Sequence, residues 1–254
     1  MRPATTVGSI DWTIRTGGRL EPAEGRRLVA DLARVHVGNA FGRLSVILRL
    51  NARRHAYLPA ERLVPPDSRL TRAAHHAARA CLPTTLLNHS ERTFVFGRAL
   101  GELDEVEVDA ELLYAAALLH DTGLVLARGR EDFTLTSARV ARDVSEEVGL
   151  SSAATKTLQT AITMHHSPRV TLAVGPVAHL LAAGAGVDVV GLRCWDLPRS
   201  ILVDAVAAHP REGFKKYFNH AWAQEAARVP AGRARLLRRY GAFPAAVALA
   251  PFDE

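Results

Sequence analysis

The sequence predicts an all-α protein, and three observations carry that reading. Apolar residues recur at three- and four-residue spacing through most of the 254 residues. Alternation with a period of two never lasts long enough to make a strand. Prolines, glycines and short polar capping residues divide the chain into stretches of helical length.

Taken in order, residues 1–20 hold Gly8, Gly17 and Gly18 and read as irregular or weakly extended. Helical spacing starts at Pro22, with Leu28, Leu32 and Val35, then Phe41, Leu44, Ile47 and Leu48 with arginines between. The arginine-rich face of 43–54 carries the charge for a membrane or nucleic acid. No aromatic platform interleaves with it, so it reads as the solvated face of a packing helix. Val64-Pro65-Pro66-Asp67-Ser68 is the best boundary: the prolines stop the preceding segment, and Asp67 or Ser68 caps a helix to about Cys81. Pro83 breaks that helix, and the next runs from Thr84 or Thr85 through Leu87, His89, Phe94 and Leu100. Residues 101–109 form an acidic connection.

Asp109 caps an apolar helix over 110–120, and 128–132 is a polar loop. Thr136 or Ser137 opens a helix through Val140, Val144 and Val148 that Gly149 stops. Ser151 or Ser152 caps the next, which runs to about His165 and ends at Ser167-Pro168. Residues 176–190 make an apolar helix rich in Ala and Gly, suited to close packing. Pro198 and Pro210 punctuate the stretch after it, and 214–229 and 231–240 are helices before an apolar tail.

Hydrophobic residues make up 48% and charged residues 23%, enough for a substantial core. The net charge is +6, unevenly spread: +8 over residues 1–80, −6 over 81–212 and +4 over 213–254. A basic periphery therefore flanks an acidic centre, and the overall charge says little about that centre. Cys81 and Cys194 make neither a disulfide framework nor a cysteine-based zinc pattern. Met1–Trp12 lacks the apolar run of a secretory signal, and Val170–Leu192, with Pro176, His179 and Asp188, fits a buried helix better than a membrane span. A cytoplasmic location is expected.

The chemistry concentrates at Ala115-Ala116-Ala117-Leu118-Leu119-His120-Asp121-Thr122-Gly123, where an apolar helix ends in an imidazole and a carboxylate side by side. Both are good ligands for a divalent metal. Further ligands belong on other helices, at positions that would otherwise be apolar. His89 in Leu87-Asn88-His89-Ser90 and Asp188 in Gly186-Val187-Asp188-Val189 meet that description, and a carboxylate among valines is costly unless paired or metal-bound. Taken singly, His89 is a satisfied histidine, Asp188 a helix cap, and His120-Asp121 a polar helix end with Gly123 as its left-handed stop. Together they require four coincidences, and a metal site is the better reading. Two His and two Asp suit one divalent ion, zinc first, with manganese, iron or nickel also compatible.

His…His-Asp…Asp on successive helices resembles the HD-domain superfamily of metal-dependent hydrolases, over roughly residues 66–220. The resemblance is tightest at Leu87–Arg92, Ala116–Gly123 and Ala185–Gly191. Asn88-His89-Ser90, the following Phe96-Gly97 and a long helical C-terminal part look most like its cyanamide hydratase branch. The resemblance implies an all-helical HD bundle over 65–222 with one metal held by His89, His120, Asp121 and Asp188. Residues 1–64 then form an N-terminal helical extension, and 223–254 a C-terminal helical tail packed on the same domain. Two-metal members carry two further separated histidines between the HD pair and the last Asp. Here the adjacent His165-His166 stands instead, and adjacent helix positions point about 100° apart, so a mononuclear site is expected.

On this reading the chain is a hydrolase or hydro-lyase that turns metal-activated water on a small C≡N or C–N compound. Asp121 and His165 are the expected catalytic residues; Arg92, Thr122, Phe133 and His166 the expected substrate contacts. Helix-end capping is the competing role for His165 and His166. The pocket is expected to be small and apolar, lined by Phe133, Leu119 and Met164. The alternative is an HD phosphohydrolase, which needs cations on the phosphate oxygens; Arg92, Lys156 or Arg169 would supply them, although an ion pair with a nearby acid competes for Arg92. A non-catalytic helical module ranks third, since all four ligands stand. The expected partner is a small molecule, with no nucleic acid and no membrane, and a homo-oligomer is compatible.

Overall fold

The computed structural model describes residues 6–48 and 50–254. Residues 1–5 of the turn-rich segment and Arg49 of the arginine-rich face lie outside the described residues. Among these, the chain is helical without a named strand; one isolated bridge joins Arg19 and Gly232.

The centre of the bundle is the helix ending at His120-Asp121. It spans Ala110–Leu119, and every residue from Leu112 to Leu119 is buried. A helix apolar on all sides must be wrapped on all sides. The wrapping comes from helices over Arg69–Cys81, Thr84–Leu103, Phe133–Val148, Ser152–Met164 and Pro176–Val190. In chain order the helices are α1 (Ile10–Thr16), α2 (Pro22–Ile47), α3 (Arg69–Cys81), α4 (Thr84–Leu103), α5 (Ala110–Leu119) and α6 (Thr122–Leu126). Then come α7 (Phe133–Val148), α8 (Ser152–Met164), α9 (Pro176–Val190), α10 (Arg199–Ala208), α11 (Phe214–Arg228), α12 (Arg233–Tyr240) and α13 (Phe243–Ala248). The caps are largely the expected ones: Ser68 for α3, Asp109 for α5 and Ser151 for α8, each accepting a backbone N–H.

The most extensive helix contact is α4 on α9. It is close because glycine faces backbone on both sides. A Cβ on Gly97 would stand 2.6 Å from Leu180 O, and one on Gly184 would overlap Thr93 O. The Ala/Gly composition of 176–190 serves this crossing, which sets His89 of α4 beside Asp188 of α9.

Several elements differ from the sequence reading: α6, α10 and α13 are helices it did not assign. Residues 10–16 are helical, because Ser9 caps Trp12 N and Trp12 is buried under the Arg233 guanidinium. The helix expected from Thr136 or Ser137 starts at Phe133, capped by Asp132, whose Oδ1 accepts from Thr134 N at 3.0 Å. α4 continues through Gly101 to Leu103. Finally, α2 is one long helix of which only Leu28 and Leu32 are fully buried, while Phe41 is 68% and Ile47 76% exposed. Its first half lies on α12; in the second half Gly42 packs on Trp195 while most of the apolar side chains stay exposed.

The flanking segments pack on the bundle: α1 on α7 and α8, α2 and α13 on α12, and α13 on α9. No helix among the described residues is long and apolar enough to cross a membrane.

Candidate metal centre

Three buried side chains from two neighbouring helices converge. His89 stands on α4, and His120 and Asp121 stand where α5 ends; their ligand atoms lie within 4.8 Å of one another. His89 Nε2 faces His120 Nε2 at 3.2 Å, and Asp121 Oδ2 lies 3.5 Å from the first and 3.4 Å from the second. His165, at the end of α8, joins from the other side with Nε2 3.5 Å from Asp121 Oδ1.

The far nitrogen of each imidazole decides what the near one presents. His89 Nδ1 meets Asp188 Oδ2 at 2.7 Å, His120 Nδ1 meets Ala117 O at 2.6 Å, and His165 Nδ1 meets Ile162 O at 2.6 Å. Carboxylate and carbonyl oxygens only accept, so all three Nδ1 atoms carry the proton and donate. In the neutral rings all three Nε2 atoms are therefore bare lone pairs, directed at a carboxylate whose two oxygens have no hydrogen-bond partner. Lone pairs crowded at 3.2–3.5 Å with no donor between them repel. A cation satisfies all of them, and the donor set of two imidazoles and a carboxylate is one that holds a divalent transition metal. The residues fit the metal. Three protein ligands also leave a coordination position open, as a catalytic site requires.

Burial keeps the neighbouring histidines neutral. It pushes His120 below its ordinary value; it pushes His165 well below, with His120 and His166 adding to the effect, and it lowers His166 as well.

Asp188, the fourth ligand expected, sits behind His89 with both oxygens engaged. Oδ2 takes His89 Nδ1–H and Arg92 Nη2 at 2.8 Å; Oδ1 takes Arg92 Nε at 2.7 Å and Arg211 Nη1 at 2.5 Å. Burial alone would raise its carboxyl, but Arg92, His89 and Arg211 together hold it below the usual carboxylate range. A valine-flanked carboxylate does need a partner. Here the partners are two guanidiniums and an imidazole.

Arg92 stands beside Asp188. It is fully buried, and its Nη1 donates to His209 O at 2.7 Å and Pro210 O at 3.2 Å, so four of its five N–H donors are taken within the protein and it does not line the cavity. Lys156 is a surface residue bonded to Asp11 at 2.8 Å. Thr122 is buried and donates to Leu119 O at 2.9 Å, which caps the end of α5 rather than contacting a ligand. Phe133 is fully buried against His165, His166 and Trp222, supporting the histidines from behind. Gly123 is not a left-handed stop. It is the second residue of α6, donates its N–H to Ser137 Oγ at 2.8 Å, and leaves room for the Phe133 carbonyl that a Cβ would overlap.

His165 and His166 diverge as adjacent positions should. His165 turns to Asp121, while His166 Nε2 lies 3.6 Å from Asp132 Oδ2, beyond hydrogen-bond length. Asp132 is held well below the usual carboxylate range: burial opposes its charge, and Arg233, then His166 and Thr134, outweigh that. Capping and a pocket role are not alternatives for His165, since its Nδ1 closes the helix and its Nε2 faces the centre.

The centre opens on a cavity of about 740 Å³, reached by His89, His120, Asp121, His165 and His166. Neither Phe133, Leu119 nor Met164 lines it, and it is not small. Its other walls come from α2, α9, α11 and α13. Sequence reasoning missed Arg211 and Trp222 at the site. Arg211 lies in Pro210-Arg211-Glu212-Gly213 and reads as solvated, whereas it is stacked between Phe214 and Phe252 at 4.6 and 4.7 Å. Trp222 has ordinary helical spacing with Phe218, which is a core signal.

Fold and site together define a helical bundle with a buried His-His-Asp group that could hold a metal ion. Residues 86–186 match the family model of the HD domain, a stretch that contains His89, His120 and Asp121 and stops just short of Asp188. The match supports the HD-domain superfamily, whose members are generally metal-dependent hydrolases, and the buried His-His-Asp group agrees with it. No curated protein matches the chain.

Proposed function

We propose that this chain is a metal-dependent hydrolase or hydratase, similar to the cyanamide hydratase branch, acting on an uncharged C≡N or C–N group. The observation that carries it is the pairing of a lone-pair-rich centre with a cavity floor from which the nearest buried cations are withdrawn. Arg92 and Arg211 pair with Asp188 behind His89 and do not line the cavity, so the floor suits a neutral electrophile rather than a phosphate. His89, His120 and Asp121 would hold the metal. When bound, a divalent cation there lowers the pKa of an associated water and polarises the bond under attack.

The chain's own groups handle the protons. His165 Nε2, bare and buried beside Asp121, accepts a proton from the attacking water and returns it to the substrate nitrogen. On a nitrile, water adds across C≡N and the product is the primary amide. On an amide, the C–N bond breaks and the amine leaves with the returned proton. Asp188 holds His89 in the Nδ1–H tautomer throughout.

A phosphate-ester reading draws on Arg169, an exposed cation on the cavity lining. Arg43 is a second exposed cation on that lining, and Arg193 is paired with Asp104 and Asp196. Cations at the rim, away from the centre, are a weak clamp for a developing phosphoryl charge, and this reading ranks second.

Elemental analysis of untagged protein beside an Asp121→Ala control is the first test. About one transition ion per chain, lost in the control, supports the centre. Cyanamide, nitriles and amides are then assayed against phosphate esters. Turnover of phosphate esters alone, or a pair of irons per chain, would overturn the reading.

A further inference from the structure

A cavity of about 740 Å³ is far larger than water and a one-carbon nitrile would fill. Its lining away from the metal centre is mainly aliphatic and aromatic, including Leu32 and Val35 of α2, Val189 of α9, Phe218 of α11, and Phe243 and Leu249 near α13. Polar atoms interrupt this lining at chosen places. Trp222 Nε1, Asn39 Oδ1 and both ring nitrogens of His166 are buried without a partner, and all three residues line the same cavity. A buried polar group without a partner is destabilising, so a protein keeps such groups where something else satisfies them.

We infer that the substrate is a medium-sized, mainly apolar molecule: its reacting group lies at the metal centre, and its apolar part extends along the inner face of α2. Trp222 donates its indole N–H to an acceptor atom beside the reacting group; its ring lies 5.7 Å from His166, which in turn lies 5.1 Å from His165. Asn39 accepts from a donor further along the molecule. α2 then limits the length of the apolar part, and it is anchored for that purpose. Gly42 packs flat on Trp195, whose ring a Cβ would overlap, and beyond the helix Asn51 Nδ2 donates to Trp195 O at 2.9 Å and Asp196 Oδ1 at 3.2 Å. The segment before residue 65, outside the HD match, is thus a wall of the substrate site. This assignment rests on the hydrolase or hydratase reading for the reacting group, but the room for an apolar chain stands apart from it.

Calorimetric titration of the full-length, metal-loaded protein with acetamide, hexanamide and octanamide tests it. Affinity should tighten about fourfold per added methylene, from ~0.8 kcal/mol for each one buried, until the cavity is filled. Val35→Trp, which fills the α2 side, should weaken octanamide about tenfold or more through overpacking while metal content per chain is unchanged. Ala246→Trp on the α13 side repeats the test should the first variant fail to fold. Equal affinity for acetamide and octanamide, or a folded filling variant that binds octanamide as tightly as the parent, would overturn the inference. A length-dependent affinity without turnover of any nitrile or amide would leave the apolar site standing and remove the proposed reaction instead.

Discussion

Asp188 grips His89 from behind: its Oδ2 accepts the Nδ1–H at 2.7 Å, and this forces the Nε2 lone pair toward His120 and Asp121. The last acidic residue of the motif thereby reaches the His-His-Asp group through the imidazole. Two arginines keep it ionised for that work, and both are sandwiched against Phe214.

Asp188→Asn should therefore do two separable things. Metal affinity should fall about 10–100-fold, because the amide no longer fixes the His89 tautomer. Stability should fall by about 3–5 kcal/mol, because Arg92 and Arg211 lose their buried counter-charge. Metal competition and urea unfolding measure the two effects. Unchanged metal affinity in the folded variant would end the positioning role.

His165→Ala should keep its metal and lose activity by about 10²–10⁴-fold, the usual span for a lost acid–base group. Added imidazole should restore part of the rate. A variant that lost its metal would mean that His165 is a ligand, and one without rescue would mean that its helix-closing bond to Ile162 O is its main contribution.

Gly123→Ala should be destabilising despite the gain in helix propensity. The added methyl would drive into the Phe133 carbonyl, and overpacking of this kind costs about 1–3 kcal/mol. A drop in melting temperature, with metal binding weakened because Asp121 lies two residues away, is the expected result.

Glu225 sets part of the pH dependence. Burial and the Asp132 carboxylate push its carboxyl up to about 6, against the opposing pull of Arg228 and the Phe133 N–H. A carboxyl raised in the folded state contributes stability that is fully present below its unfolded value and is lost as pH rises through the folded one. A shift from 4.5 to about 6 corresponds to roughly 2 kcal/mol lost across that window. Glu225→Gln should remove this loss, which urea midpoints between the two pH values would register; a wild-type profile flat over that range would contradict it.

Much of the fold was legible because it depends on local chemistry. Ser68, Asp109 and Ser151 cap where short polar side chains before apolar runs should cap, and the mainly apolar 110–119 and 176–190 form the central helix and the helix crossed closely by α4. His89, His120 and Asp121 stood out because a polar group in an apolar run needs a reason. Arg211 and Trp222 did not stand out: an arginine after a proline and a tryptophan at core spacing look ordinary until the fold surrounds them.

The sequence by itself determined the helical class, the HD pair at the end of the central helix and the need of Asp188 for a partner, since each follows from periodicity, capping or the cost of burying charge. Only the tertiary structure decided who that partner is, because the Gly97–Gly184 crossing brings α4 against α9 and delivers His89 and Arg92 to Asp188 before any metal. The same holds for the cavity. Its size and its α2 wall arise from helices far apart in sequence, and no local pattern in residues 22–47 distinguishes a solvated helix from one that closes a substrate site.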